Sequence, residues 1–276
     1  MNKSLNRNHQ LLILFFLVFL GFVFQSVSGF TNEKQGVIVP YSTPIKFQVY
    51  FPPGYQKNVE LPVLFLLHGQ SQNESIWQQI GLFETIDRLF QDDRIQPMII
   101  VIPREERYME TLQESNYDRL IVDQLLPFVQ NTFQVGKKRE STGIGGISRG
   151  ALWAQKIAFR NYSLFGVMGL HSLPNLVFSD STIFRILEDN KNHFPDMKIR
   201  IDIGTEDGYL DGARAFTRQL STLGYRYDFV LNTGKHDITY WKSQVENYLL
   251  WYSDNLHSNS QDAAANHSNL KGKKDQ

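Results

Sequence analysis

The chain has 276 residues, 42% of them hydrophobic and 13% aromatic, and its 28 lysine and arginine residues balance 28 aspartate and glutamate residues. The balanced charge shows no excess of basic residues of the kind that nucleic-acid-binding proteins carry. The absence of cysteine excludes disulfides, thiol catalysis and thiolate metal sites. The length suits one large α/β domain with terminal segments.

The first 29 residues have the pattern of an export signal. Lys3 and Arg7 precede an unbroken apolar run, Leu11–Phe24, and small residues follow at 27–29. The run is short for a membrane span of about 20 residues but typical of the apolar part of a signal peptide. We expect a signal peptide at 1–29 and a secreted, periplasmic or cell-envelope location. Retention as an N-terminal anchor and burial as a core helix are the alternatives.

From residue 30 to 255, predicted strands and helices alternate along the chain. Strands are predicted at 45–51, 61–67, 98–102, 142–147, 165–170, 199–203 and 227–231, and helices at 76–91, 117–133, 149–160, 211–223 and 238–253. This alternation predicts one α/β domain with a doubly wound, mostly parallel sheet, whose ligands bind beyond the carboxyl ends of the strands. The polar residues 256–276 are expected to form a disordered tail.

A nucleophile motif lies between one predicted strand and the next predicted helix. Gly146–Gly150 reads G-x-S-x-G, with Ser148 at its centre. Such a turn lifts a serine hydroxyl out of the sheet, and glycines are needed because a Cβ on either side would collide with neighbouring backbone. We predict Ser148 as a catalytic nucleophile. A glycine-rich turn with an incidental serine is the alternative.

A serine nucleophile needs a base to remove its proton, and histidine is the residue expected. Four of the seven histidines lie in the signal, the tail or a polar loop, namely His9, His193, His257 and His267. His236 follows the strand 227–231 and comes after the serine in chain order, so it is the predicted base. His68 is expected to brace its loop. His171 follows a strand, where it either lines the pocket or is a hydrogen-bonded structural residue.

The acid that orients the base is expected between the serine and the histidine, after a strand. Asp207 lies in the loop that leaves the strand 199–203 and is the predicted acid. Asp211, which begins the following helix, is its main rival, whereas Asp202 lies within the strand and is expected to be structural. The acid would hold the imidazole in the right tautomer and stabilise its protonated form.

Two main-chain N–H groups are predicted to form an oxyanion hole. One comes from the residue after the nucleophile, Arg149, and the other from the loop after the early strand 61–67, at Gln70. Gly69 lets the backbone of that loop approach closely.

Several segments together carry a family resemblance. They are Leu66–Gly69 with Trp77, Met98–Pro103, Tyr117–Pro127, Gly145–Ala151, Gly204–Asp207, and Gly234–Asp237 with Trp241. With them, the region from about residue 37 to 253 resembles the esterase D-like "putative esterase" family of α/β-hydrolases, which includes feruloyl and acetyl-xylan esterases, enterochelin esterase-like enzymes and mycolyltransferases.

The resemblance implies an α/β-hydrolase fold, with Ser148, Asp207 and His236 where that family carries its catalytic triad. The sequence departs from the family at two positions: Ala151 replaces a frequent glycine, and Lys235 replaces a small residue and could alter the pocket rim.

Substrate contacts are expected around the predicted triad. The loop 104–108, beginning at Arg104, should line the alcohol side. Trp77 and Trp241 could form aromatic walls for a sugar or phenolic group, or could equally be core residues. His171 is the remaining candidate.

The sequence therefore predicts a serine carboxylesterase that hydrolyses small or carbohydrate-linked esters through an acyl-enzyme intermediate, with no cofactor or metal and no nucleic-acid partner. An acyltransferase of the mycolyltransferase type, passing the acyl group to a sugar, would use the same residues. A non-catalytic envelope binding protein is the third hypothesis.

Overall fold

In a computed structural model of the chain, the structure describes residues 35–174, 185, 187–189 and 197–257. The predicted signal peptide at 1–29 and His193 lie outside these residues, as does the predicted tail from residue 258 onward. The first two tail residues, in contrast, belong to the domain. Leu256 is buried, and the main-chain N–H of His257 donates to the carbonyl oxygen of Glu140 at 3.0 Å.

Eight strands form one sheet in the order β1-β2-β4-β3-β5-β6-β7-β8. They are β1 (Val37–Tyr41), β2 (Phe47–Phe51), β3 (Val63–Leu67), β4 (Ile99–Pro103), β5 (Thr142–Ile147), β6 (Val167–His171), β7 (Lys198–Gly204) and β8 (Asp228–Asn232). The pairs β1–β2 and β2–β4 are antiparallel, and every other neighbouring pair is parallel. The predicted α/β class with a mostly parallel sheet is confirmed.

The helices lie between the strands along the chain, except for the last one, which follows the final strand. They are α1 (Ile76–Gln79), α2 (Leu82–Gln91), α3 (Tyr117–Arg119), a π-helical segment (Leu120–Leu125), α4 (Leu126–Thr132), α5 (Arg149–Arg160), α6 (Leu210–Thr222) and α7 (Ile238–Asn255), with a 3₁₀ turn at Arg139–Ser141. Within the described ranges, no helix combines the length and the apolar character that crossing a membrane requires.

Two apolar cores, one on each face, hold the sheet between its helices. Buried residues of α4, α5 and α6 pack in one core, for example Val129, Trp153 and Leu220. Residues of α1, α2 and α7 pack in the other, for example Trp77 and Leu249. Central strands β3, β4 and β5 are buried along their whole length because helices cover both faces.

Three local features differ from the sequence-based expectation. Strand β1 was not predicted, because its alternation of half-buried and exposed residues is short and includes a proline, Pro40. The predicted helix 76–91 is broken at Gly81, which has a left-handed backbone with φ 84°. The predicted helix 117–133 contains the π-helical segment in its middle.

Candidate active site

The parallel register brings the candidate residues to one edge of the sheet. Leu67, the last residue of β3, pairs with Gly146 near the end of β5. Ile147 in turn pairs with His171 at the end of β6, which pairs with Asp202 on β7. The loops that follow these strands therefore open at the carboxyl edge, where open α/β sheets bind their ligands.

Ser148 occupies a strained turn between β5 and α5. Its backbone has φ 53° and ψ −120°, a region that non-glycine residues rarely adopt. The glycines on either side are required by space: a Cβ on Gly146 would lie 2.5 Å from the carbonyl carbon of Gly150, and a Cβ on Gly150 would lie 2.7 Å from the carbonyl oxygen of His68. The turn therefore presents the Ser148 side chain and leaves no room for a side chain at position 146 or 150.

The structure brings Ser148, His236 and Asp207 together in one hydrogen-bonded chain. His236 Nε2 lies 2.8 Å from Ser148 Oγ, and His236 Nδ1 lies 2.8 Å from Asp207 Oδ2. The carboxylate on Nδ1 fixes the proton there, because a carboxylate can only accept, and leaves Nε2 free to accept the hydroxyl proton. This is the geometry that general-base activation of a serine requires.

The loops after β7 and β8 hold the acid against the imidazole. The N–H of Thr205 donates to the carbonyl oxygen of Asn232, and that of Glu206 donates to the carbonyl oxygen of Gly234, at 2.8 and 2.9 Å. The second carboxylate oxygen of Asp207 accepts the N–H of Tyr209 at 2.9 Å. Both oxygens of this buried carboxylate therefore accept hydrogen bonds, and these bonds fix the orientation of the carboxylate.

The rival acid lies away from the imidazole. The side chain of Asp211 is 96% exposed and lies 3.7 Å from Arg214. Asp237, the residue after the histidine, has a structural role, because it caps α7 by accepting the N–H of Tyr240 at 2.9 Å.

Each of the two predicted oxyanion donors lies the same number of residues after one member of a pair of neighbouring strand residues. Gln70 comes three residues after Leu67, and Arg149 comes three residues after Gly146, its pairing partner. Within the described part of the chain, neither main-chain N–H donates to another residue. The side chain of Gln72 turns the first loop by accepting the N–H of Gly69 at 3.0 Å. The two N–H groups remain available to a ligand.

A buried ion pair lies beside these donors. The Arg149 guanidinium forms two hydrogen bonds with the Glu105 carboxylate, at 2.8 and 2.6 Å, and a third with the carbonyl oxygen of Glu110 at 2.7 Å. The N–H of Glu105 donates to His68 Nε2 at 2.8 Å, so His68 carries its proton on Nδ1 and donates it to the carbonyl oxygen of Gly69. Burial lowers the pKa of this imidazole below its usual value. His68 braces the loop as a neutral side chain.

Of the four candidate substrate residues, only two reach the vicinity of the triad or the surface. Trp241 is a buried core residue, 5% exposed, whose ring lies edge-on to His236 with centroids 5.4 Å apart and whose Nε1–H donates to Ser172 Oγ. Arg104, the residue after β4, is partly exposed and pairs with Glu74. Trp77 is a core residue with no exposed surface, so the aromatic-wall interpretation is wrong for it.

His171 does not line a pocket either. It is fully buried, with Nδ1 hydrogen-bonded to Asp202 Oδ1 and Nε2 3.0 Å from the hydroxyl of Tyr252. The hydroxyls of Tyr240 and Tyr248 donate to Asp202 Oδ2 at 3.1 and 3.0 Å. His171 and Asp202 thus form a satisfied polar network behind the nucleophile, which corrects the substrate-contact interpretation of His171 and agrees with a structural Asp202.

Two neighbours of the triad were not singled out in the sequence. The Tyr209 ring lies edge-on to His236 at 4.9 Å between centroids and is 37% exposed. The Glu105 carboxylate partners Arg149 from a different element. Its place two residues beyond the end of a buried strand was the available signal for Glu105. Within the described ranges, His, Asp and Glu side chains form no cluster of three or more that could hold a metal ion.

Comparison with known proteins places the chain in a family. The sequence pattern of the family described as "putative esterase" matches residues 41–252. The chain is similar to an endo-1,4-beta-xylanase/feruloyl esterase of Xylanibacter ruminicola, with 29% identity over 136 residues, which are 45% of this chain and 19% of that protein. It thus spans about a fifth of that relative's length.

Two further proteins resemble the chain over most of its length. An acetyl esterase of Caldicellulosiruptor saccharolyticus is 22% identical over 239 residues, covering 72% of this chain and 87% of the relative. The solved structure of a ferulic acid esterase superimposes with a TM-score of 0.71 at 21% identity, covering 80% of this chain and 99% of that one. The chain belongs to the putative esterase family and has the α/β-hydrolase fold.

Proposed function

We propose that the protein hydrolyses small or carbohydrate-linked esters through an acyl-enzyme intermediate on Ser148. The observation that carries this proposal is the continuous hydrogen-bonded chain from Asp207 through His236 to the Ser148 hydroxyl, with 2.8 Å at each step. An ester hydrolase needs an activated nucleophile, and this is the serine for which the geometry supplies a base.

The proposed reaction has two steps. In the first, His236 Nε2 takes the proton of Ser148 Oγ as that oxygen attacks the ester carbonyl carbon; the protonated imidazole then gives this proton to the leaving alcohol. In the second, His236 takes a proton from water, which attacks the acyl-enzyme, and returns it to Ser148 Oγ as the carboxylic acid leaves. The main-chain N–H groups of Gln70 and Arg149 would stabilise the oxyanion in both steps, worth about 2.7–4 kcal/mol for one donor.

The preference for carbohydrate-linked esters is supported by the relatives and by the site's surroundings. Similar proteins are named xylanase/feruloyl esterase and acetyl esterase. Beside His236, the Tyr209 ring is 37% exposed and supplies aromatic surface that suits a phenolic or sugar group.

Initial-rate measurements with p-nitrophenyl acetate, p-nitrophenyl butyrate and feruloyl and acetyl sugar esters test the proposal. We expect turnover by the wild-type protein and at least a thousandfold loss in Ser148→Ala. An inert wild-type protein would refute the proposed function. Products that appear mainly as a transesterified sugar, when a sugar acceptor is supplied, would favour the acyltransferase alternative.

We also infer that residues 1–29 direct export, on the basis of the basic start, the apolar run and the small residues that follow it. Expression of the full chain in a secreting host tests this inference. Intact mass should show a mature protein that begins at residue 30, and a cell-associated chain with the native N-terminus would contradict it.

A further inference from the structure

Glu105 is a buried carboxylate at the carboxyl edge of the sheet. It lies two residues beyond the end of β4 and is 2% exposed. Its two oxygens accept separate N–H groups of Arg149, at 2.8 and 2.6 Å, in the bidentate arrangement that fixes both side chains in one plane.

The main chain of Glu105 reaches the other side of the candidate oxyanion hole. Its N–H donates to His68 Nε2 at 2.8 Å, and His68 Nδ1 donates to the carbonyl oxygen of Gly69 at 2.8 Å. Gly69 immediately precedes Gln70. Glu105 therefore contacts both segments that present the candidate N–H donors. Its side chain bonds to Arg149, and its main chain bonds to His68 in the loop that contains Gln70.

Stability alone does not account for this pair. Removing two charges from water is costly, and buried ion pairs can often be replaced by apolar side chains with no loss of stability. What an apolar pair lacks is direction: two parallel hydrogen bonds hold the first residue of α5 at a defined distance and angle from the loop after β4.

We propose that Glu105 is a positioning residue that sets the distance between the main-chain N–H groups of Gln70 and Arg149. The role rests on the proposed function, since it matters only if those groups bind an oxyanion. The oxyanion forms only in the transition state, so a misplaced donor lowers kcat and leaves KM nearly unchanged. Small displacements of about 1 Å are enough to cost about a hundredfold in rate.

The single variant Glu105→Gln removes the charge while keeping the size of the side chain. We expect kcat for p-nitrophenyl acetate to fall about 10- to 100-fold, with KM within about twofold of wild type. Asp118→Asn is the matched control. Asp118 forms a similarly buried ion pair, at 2.9 Å, with Lys156, which lies in α5 like Arg149 but about two turns beyond Ser148. It should lower Tm but leave kcat unchanged.

A double variant separates positioning from folding. Glu105→Leu combined with Arg149→Met replaces the ion pair by apolar side chains, so it should recover the Tm lost in either single variant. We expect kcat to stay at least tenfold low, because the direction supplied by the hydrogen bonds is gone. A kcat that recovers together with Tm, or single variants as active as wild type, would overturn the proposal. An inert wild-type protein would instead refute the proposed function, and this inference with it.

Discussion

The main-chain N–H of Ser148 donates a 2.9 Å hydrogen bond to the carbonyl oxygen of His171. The strained backbone of the candidate nucleophile is thereby tied to the end of the neighbouring strand β6. The imidazole of the same histidine is held by Asp202 and Tyr252 in the buried network. A polar network in the core thus supports the turn that presents the serine, although none of its side chains contacts the serine hydroxyl.

Removing one hydroxyl from this network should destabilise the protein. Burial holds the pKa of Tyr252 well above its usual value, so the hydroxyl stays protonated and donates to His171 Nε2. Tyr252→Phe leaves that nitrogen without its donor, and we expect a loss of about 1–3 kcal/mol in the free energy of unfolding, measured by urea denaturation. Tyr227→Phe, which removes an exposed hydroxyl bonded to Ser221, should change it by less than about 0.5 kcal/mol. Equal effects of the two substitutions would contradict the structural role.

The assignment of the acid can be tested by two aspartates that are close in sequence. Asp207→Asn keeps the shape but allows the imidazole to adopt the wrong tautomer, and kcat should fall about 10³- to 10⁴-fold. Asp211→Asn changes a side chain that is 96% exposed, and its kcat should stay within about twofold of wild type. Steady-state hydrolysis of p-nitrophenyl acetate measures both. A larger loss in Asp211→Asn would assign the acid to that residue.

The second glycine of the nucleophile turn should not tolerate a methyl group. An alanine Cβ at Gly150 would lie against the main-chain carbonyl groups of Leu67, the last residue of β3, and of His68, which follows it; main-chain atoms at this point cannot move away cheaply. We expect Gly150→Ala to lower the free energy of unfolding by about 1–3 kcal/mol or more. Gly208→Ala adds a methyl group where no atom lies within 4 Å and should cost less than about 0.5 kcal/mol by the same denaturation measurement. A stable Gly150→Ala protein would contradict this packing.

Stability should fall below neutral pH partly because of His68. Its pKa is lowered by burial in the folded state, so the unfolded chain binds more protons as the pH drops below about 6.5. The contribution of neutral His68 is therefore present above that pH and is lost as the pH falls through the folded-state pKa. Protonation would also replace the acceptor of the Glu105 N–H by a donor.

Urea denaturation of wild type and His68→Gln at pH 7.5 and 5.5 checks this expectation. Glutamine can still accept the Glu105 N–H but does not titrate, so the variant should lose less stability between the two pH values than wild type does. The titration of other groups is common to both proteins and cancels in the comparison. Identical pH slopes would show that His68 is not responsible.

The strand–helix alternation and the nucleophile turn could be predicted because local rules determine them. The G-x-S-x-G turn needs glycine on geometric grounds, and short apolar runs are enough to locate the central strands. The helix predicted at 149–160 ends where α5 ends, at Arg160. Asp207 was favoured over Asp211 from its place after a strand, and the structure brings Asp207 to the imidazole.

Side-chain burial was less accessible from the sequence, because it depends on which elements meet. Trp77 and Trp241 are both buried in the same core, at 0% and 5% exposure, yet the Trp241 ring also borders His236. The bond between Glu105 and Arg149 joins residues 44 positions apart, and no local pattern pairs them. Asp202, which lies between Ile201 and Ile203 within a predicted strand, was expected to be structural.

We propose that Ser148 is the residue that becomes acylated. Incubation with an organophosphonate ester, followed by intact-mass analysis and peptide mapping, tests it without assuming any natural substrate. We predict a single adduct on the Ser148 peptide of wild type, no adduct in Ser148→Ala, and much slower labelling in His236→Ala. An unlabelled wild-type protein, or an adduct that persists in Ser148→Ala, would show that Ser148 is not the acylated nucleophile.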